Sequence, residues 1–225
     1  MSETLSYRSI GVYGGTFDPI HNAHLEVARA VAANFELDRL LIIPAHRPPH
    51  KNLASISDAY HRYAMAALAT IDERRLFVST IELEMPDKPY TFETVERIKR
   101  LYGPETKQYL IIGADSFAEI NTWREPERLL SSVNLIVAAR PGSGMTASHL
   151  PAGFGSRVRD LREGGEKPAD LESQDEEGSF IYLTDYVKSD ISSTEIRRRA
   201  REGRPVGEMV PPHVADYIEK YRLYR

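Results

Sequence analysis

The segment Gly11-Val12-Tyr13-Gly14-Gly15-Thr16-Phe17-Asp18-Pro19-Ile20-His21-Asn22-Ala23-His24 constrains this 225-residue chain more than any other stretch. Residues 10–13 are an apolar run that reads as a strand stopping at paired glycines, and residues 23–34 read as a helix. Strand, glycine turn and helix start together make the phosphate-binding end of an α/β sheet. There, free N–H groups and the positive end of a helix dipole meet. With Asn22 as the cap, His21 and His24 stand around the first turn and can address one ligand. The glycine spacing is neither a dinucleotide fingerprint nor a Walker loop, because G-x-G-x-x-G is not met and no G-K-[ST] follows. Two histidines without a convincing third ligand make a poor metal site, and Asp18 reads as a turn residue.

Further along, Arg39–Pro44 is a continuous apolar run, as expected of a buried parallel strand. It ends in Pro44-Ala45-His46-Arg47-Pro48-Pro49-His50-Lys51, a basic loop in which three prolines forbid regular structure. At the carboxyl end of a strand, Lys51 becomes a phosphate ligand candidate. Residues 57–71 have helical spacing of Tyr60, Ala64, Leu68 and Ile71, with Ser57 as a cap and His61 and Arg62 on the exposed side. A third strand is expected over 76–80, and a helix capped by Thr91 runs to about residue 102.

Residues 108–117 hold a second informative strand ending in Gly113-Ala114-Asp115. Gly113 lets a nucleotide approach the backbone, while Asp115 suits either a ribose hydroxyl or the cap of a following helix. Trp123, the one tryptophan, lies among polar neighbours before Pro126 and can serve as core or as an aromatic wall for a flat ring. Another buried strand spans residues 133–139. Residues 143–179 are rich in glycine, serine and acids and read as a long, polar, partly mobile insertion too polar for its own core. A strand over 180–184 follows. Next, Ile191-Ser192-Ser193-Thr194 opens a helix in which Arg197 stands one turn beyond the hydroxyls, an anion site by construction. Arg198, Arg199 and Arg201 read as a solvated basic face. A proline-initiated amphipathic helix, packing through Val214, Tyr217, Ile218 and Tyr221, completes a C-terminal helical segment over 190–225.

Composition narrows the class. The chain is 41% apolar and 28% charged with a net charge of −4, which excludes wholesale disorder and gives no sign of nucleic-acid or anionic-membrane binding. Cysteine is absent, so disulfides, thiol catalysis and thiolate metal sites are excluded. With a polar start and no run of about 20 apolar residues, the reading is a cytoplasmic protein of one domain over residues 1–225.

Four segments in order (G-G-T-F-D-P-I-H-x-x-H, P-P-H-K, G-A-D-S-F with the later tryptophan, and I-S-S-T-x-I-R) resemble the bacterial nicotinate-mononucleotide adenylyltransferases of the nucleotidyltransferase superfamily. The resemblance implies a doubly wound, mostly parallel, Rossmann-like α/β sheet and transfer of the adenylyl group of ATP to nicotinate mononucleotide. It assigns catalysis to His21, His24 and Arg197. ATP is then held by Gly14, Gly15, Thr16, Phe17, Lys51, Gly113, Asp115, Ile191, Ser193 and Thr194, with Mg²⁺ accompanying it. Thr91, Trp123 and Arg124 fall to the mononucleotide. The protein is expected to act as a monomer or homo-oligomer, with no resident metal. Ala23 stands where most of the family has glycine. Alternatives are a nicotinamide-mononucleotide or phosphopantetheine-type adenylyltransferase, a cytidylyltransferase, and a nucleotide-binding module without turnover.

Overall fold

The computed structural model describes residues 7–47, 56–85, 89–140, 143–162, 168 and 178–225. The strands are β1 (Ser9–Gly15), β2 (Arg39–Pro44), β3 (Leu76–Val78), β4 (Lys107–Gly113), β5 (Asn134–Ala138), β6 (Val158–Asp160) and β7 (Ile181–Thr184). Helices α1 (Asn22–Asn34), α2 (Ala59–Ala69), α3 (Thr91–Tyr102), α4 (Ala114–Ala118) and α5 (Pro126–Ser132) alternate with them. Two more, α6 (Ser193–Arg201) and α7 (Pro212–Lys220), follow the last strand. All neighbouring strands pair in parallel, in the order β3-β2-β1-β4-β5-β7-β6.

The strands read as unbroken apolar runs because both faces of the sheet are covered. Alternate residues go to opposite cores. Leu40, Ile42, Tyr109 and Ile111 join a core with α1, α2, α6 and α7, while Leu41, Ile43, Leu110 and Ile112 join one with α3, α4 and α5. Chain direction across the sheet reverses between β1 and β4, whose ends carry Gly14-Gly15 and Gly113. Such a switch point opens a crevice at the carboxyl ends of the strands, where ligands bind in open α/β sheets. Among the described residues no helix is long and apolar enough to cross a membrane.

Several expectations shift. The first strand does not stop before its glycines: Gly14 and Gly15 still pair with Ile43 and Pro44. The inward stripe of α2 is Ala59, Arg62, Met65, Ala66 and Ala69, whereas Tyr60 is 72% exposed and Ile71 also faces out. Asp58, not Ser57, caps that helix, accepting from Tyr60 N–H at 2.8 Å. Thr91 is the first helical residue, and Tyr90 occupies the cap position, its N–H held by Glu93 at 2.8 Å. In α7, Val214 and Ile218 are buried but Tyr221 is largely exposed.

The stretch 143–179 is more than a polar excursion. Its β6 is an edge strand of the main sheet, paired with β7, and Met145, Leu150, Phe154 and Leu161 are buried in the two cores. Asn121 Nδ2 further ties it down by donating to the His149 carbonyl at 2.8 Å. The acidic run 170–177 lies outside the described residues.

Gly11 is required by packing, since a Cβ there would lie 2.8 Å from Leu37 Cδ1 and 3.0 Å from Leu40 Cγ. Gly11→Val is therefore expected to cost about 1–3 kcal/mol by overpacking. Urea unfolding should show a lower midpoint at unchanged m-value.

Candidate active site

The first motif wraps the mouth of the β1–β4 crevice. The α1 cap is His21 rather than Asn22. Asn22 is instead committed elsewhere, its N–H donating to Met209 O at 3.0 Å and its side chain to Glu208 O at 3.2 Å. His24 Nδ1 accepts the His21 backbone N–H at 3.2 Å. An accepting Nδ1 leaves the proton on Nε2, so His24 is a neutral ring presenting an N–H donor. The His21 ring stacks on it at 3.7 Å, and the Phe17 and Tyr13 rings meet it edge-on at 5.1 and 6.3 Å. His21 is buried, and its Nδ1 is buried without a hydrogen-bond partner. Burial pulls its pKa down to about 4, so this ring too is neutral at ordinary pH.

Phe17 has a buried ring packed under Gly15, where a Cβ would lie 2.8 Å from the ring. Its side chain supports the histidine, leaving only its backbone for a ligand. Gly14 and Gly113 are exposed, and a Cβ on either would meet nothing within 4 Å. Their bare backbone thus opens onto the crevice, as close approach of a nucleotide requires.

The last motif closes onto the first. Ser192 caps α6, accepting from Glu195 N–H at 3.3 Å. Ser193 Oγ donates to the Pro19 carbonyl at 3.0 Å, and Arg197 Nη1 donates to the Asp18 carbonyl at 2.8 Å. Arg197 Nη2 also reaches Thr194 Oγ1 at 3.4 Å. Segments more than 170 residues apart in sequence therefore form one cluster: His21, His24, Ser193, Thr194 and Arg197. Ile191 is half-buried against the core beside it. Arg198 and Arg199 are occupied by ion pairs with Glu195 and Glu202, as a solvated face requires. No three His, Asp or Glu side chains among the described residues converge to hold a metal. The cluster offers N–H and O–H donors and one cation, a set that suits a polyanion.

A second group forms where α3 and α5 begin. The Arg124 guanidinium lies 5.8 Å from the Tyr90 ring, next to Thr91 at the start of α3. Trp123, half-buried, packs on the core between α4 and α5. Asp115 is exposed in the first turn of α4, whose cap is Gly113, so it is not the cap. Lys51 lies outside the described residues.

Two residues that matter most to this geometry were missed. Arg62, read as exposed, is only 1% exposed. It donates to the carbonyls of Ser57, Thr16, Ala45 and His46 at 3.0, 2.8, 2.6 and 3.2 Å, tying the loop after β1 to the loop after β2. Asp18, read as a turn residue, is 2% exposed and accepts from Ser57 N–H at 3.2 Å and Tyr224 Oη at 2.8 Å. Nearby, Glu82 accepts from Thr94 Oγ1 at 3.0 Å, and burial pushes its pKa up to about 7.

A family model described as cytidylyltransferase-like matches residues 12–199, spanning both motifs. A Thermoanaerobacter protein named as a probable nicotinate-nucleotide adenylyltransferase is 39% identical, over 96% of this chain and 94% of its own. This chain belongs to that family. A Thermus thermophilus relative of the same name is 37% identical over 96% of this chain and 99% of its own. The fold matches the solved Plasmodium falciparum nicotinic acid mononucleotide adenylyltransferase complexed with NaAD, with a TM-score of 0.70 at 20% identity over 96% and 97% of the two chains.

Two tests follow from the burial pattern. Arg62→Met strands four carbonyls and is expected to cost about 3 kcal/mol or more, read as a fall in melting temperature. His21 is protonated less readily folded than unfolded, so its contribution to stability is complete above about pH 6.5, the ordinary histidine value, and is lost as pH falls toward 4. An NMR titration should place the His21 midpoint near pH 4.

Proposed function

We propose that this protein transfers the adenylyl group of ATP to nicotinate mononucleotide, forming nicotinate adenine dinucleotide and pyrophosphate for NAD biosynthesis. The observation that carries the assignment of residues is the hydrogen-bonded closure of Ser193 and Arg197 onto Asp18 and Pro19 beside the two histidines. In this reading the triphosphate lies across His21, His24, Ser193, Thr194 and Arg197. The loop of Gly14, Gly15, Thr16 and Phe17 offers backbone to it, and Lys51 adds a cation. Gly113, Asp115 and Ile191 serve the adenosine end. Thr91 and Trp123 hold the pyridine, and the guanidinium of Arg124 supports preference for its carboxylate.

A phosphate oxygen of the mononucleotide attacks the α-phosphorus of ATP in line. One P–O bond forms as the bond to the β-phosphate oxygen breaks, and the electron pair leaves with pyrophosphate. The nucleophile is already an anion at neutral pH, so no general base is needed. Catalysis is positioning plus stabilisation of charge. Neutral histidines fit this role as N–H donors. Mg²⁺ enters as part of the co-substrate, neutralising the triphosphate to which it is bound. The reaction is assigned to the cytoplasm, where ATP is the common adenylyl donor.

The test is pyrophosphate release from ATP with each pyridine mononucleotide. Nicotinate mononucleotide should give the higher kcat/KM, and His24→Ala should lower turnover by about 10²-fold or more. Wild-type turnover in that variant would remove His24 from the mechanism. Equal kcat/KM for the acid and the amide would remove the acid preference.

A further inference from the structure

The side chain that holds Asp18 from the far end of the sequence is Tyr224, in the segment after α7. Its hydroxyl donates to Asp18 Oδ1 at 2.8 Å across 206 residues of sequence. Burial and the neighbouring carboxylate push the phenol pKa up, so the group remains a donor at all ordinary pH. The backbone around it is unusual. Tyr224 is at φ 71° and Arg222 at φ 50°, both in the left-handed region that costs a side-chain-bearing residue roughly 1 kcal/mol or more. Packing and hydrogen bonding hold the segment there: Leu223 N–H donates to Ile218 O at 3.0 Å, and Leu223 and Tyr224 pack on the core shared with α2 and α7. Strain that persists in this way calls for a reason, and the hydroxyl's target supplies one.

Asp18 joins two sets of contacts. Its carboxylate accepts from Tyr224 and from Ser57 N–H. Its own carbonyl, and that of Pro19 next to it, accept from Arg197 and Ser193. The orientation of one buried residue therefore decides where the guanidinium and hydroxyl of α6 stand relative to His21 and His24. We propose that Tyr224 is a positioning residue for the triphosphate end of the site: its hydroxyl fixes the Asp18 carboxylate and, through it, the peptide on which Arg197 and Ser193 are held. The proposal rests on the reading of that cluster as the triphosphate site. Because Thr91 opens α3 and Trp123 and Arg124 lie in the turn leading into α5, the mononucleotide end does not depend on this strap.

Tyr224→Phe removes one oxygen and keeps the ring. The experiment compares this variant with the wild type in three readouts: the KM for ATP, the KM for nicotinate mononucleotide, and the Kd of inorganic tripolyphosphate by calorimetry. Loss of a hydrogen bond to a buried carboxylate should raise the ATP KM and the tripolyphosphate Kd by roughly tenfold each. The mononucleotide KM should stay within about twofold, on the same reasoning that the lost bond acts only at the triphosphate end. Tyr217→Phe, which removes a hydroxyl of α7 bonded to His61 of α2, is the control and should leave all three constants unchanged.

An unchanged ATP KM and tripolyphosphate Kd in Tyr224→Phe would overturn the proposal. So would a parallel rise in both substrate KM values, or an equal effect of Tyr217→Phe, since either signals general loosening. Failure of the wild type to bind tripolyphosphate would overturn it as well. A wild type that releases no pyrophosphate yet binds tripolyphosphate more tightly than Tyr224→Phe would refute the reaction and leave the strap standing. Normal turnover by both proteins with equal ATP KM would do the reverse.

Discussion

The arrangement depends on one buried carboxylate-bearing residue. Asp18 is hydrogen-bonded at its side chain by Ser57, just ahead of α2, and by Tyr224, and at its carbonyl by Arg197. A carboxylate at 2% exposure is tolerable only when it is paired or well hydrogen-bonded, and here each oxygen has a donor and the Arg62 guanidinium is close enough to interact. The consequence is geometric. With the residue locked from three directions, the loop after β1 has one conformation, and the donors of α6 inherit it.

Arg62 does comparable work one layer below. Its hydrogen bonds go to four carbonyls, so a single cation aligns the two strand-end loops that flank the crevice. Removing an arginine from water is costly, and burial indeed lowers its pKa, with Asp18 as the main charge opposing that fall. The two buried ions thus compensate one another while their hydrogen bonds organise backbone. Above them, His24 accepts the His21 N–H at Nδ1, and burial keeps the His21 ring neutral near neutrality.

Much of this could be read from residue order. The strands at Arg39–Pro44 and Lys107–Gly113, the latter expected over 108–117 before a helix took its end, announced themselves as apolar runs because both faces are covered, and the glycine turn with its helix start marked the anion end. The two jaws, His21 with His24 and Ser193 with Arg197, were each recognisable from local chemistry. What escaped was whatever depends on partners distant in sequence. Arg62 looked solvent-facing because Tyr60, Ala64 and Leu68 suggested the opposite helix phase, and nothing local reveals carbonyls from three other segments. Tyr224 carried no signal beyond being an aromatic near a helix end. The edge strand Val158–Asp160 has three residues, two of them charged, too few to stand out within a polar stretch.

The closure of α6 onto the first motif ties ligand binding to the completeness of the fold. Neither jaw alone presents the full set of donors, and they are joined by contacts 174 and 179 residues apart in sequence. Contacts of that span form late, after the entropy of closing the chain between them has been met. A nucleotide that bridges the jaws binds the closed chain and not the open one, so its binding free energy adds to the folding equilibrium. A ligand held across both jaws would thereby act as a folding ligand as well.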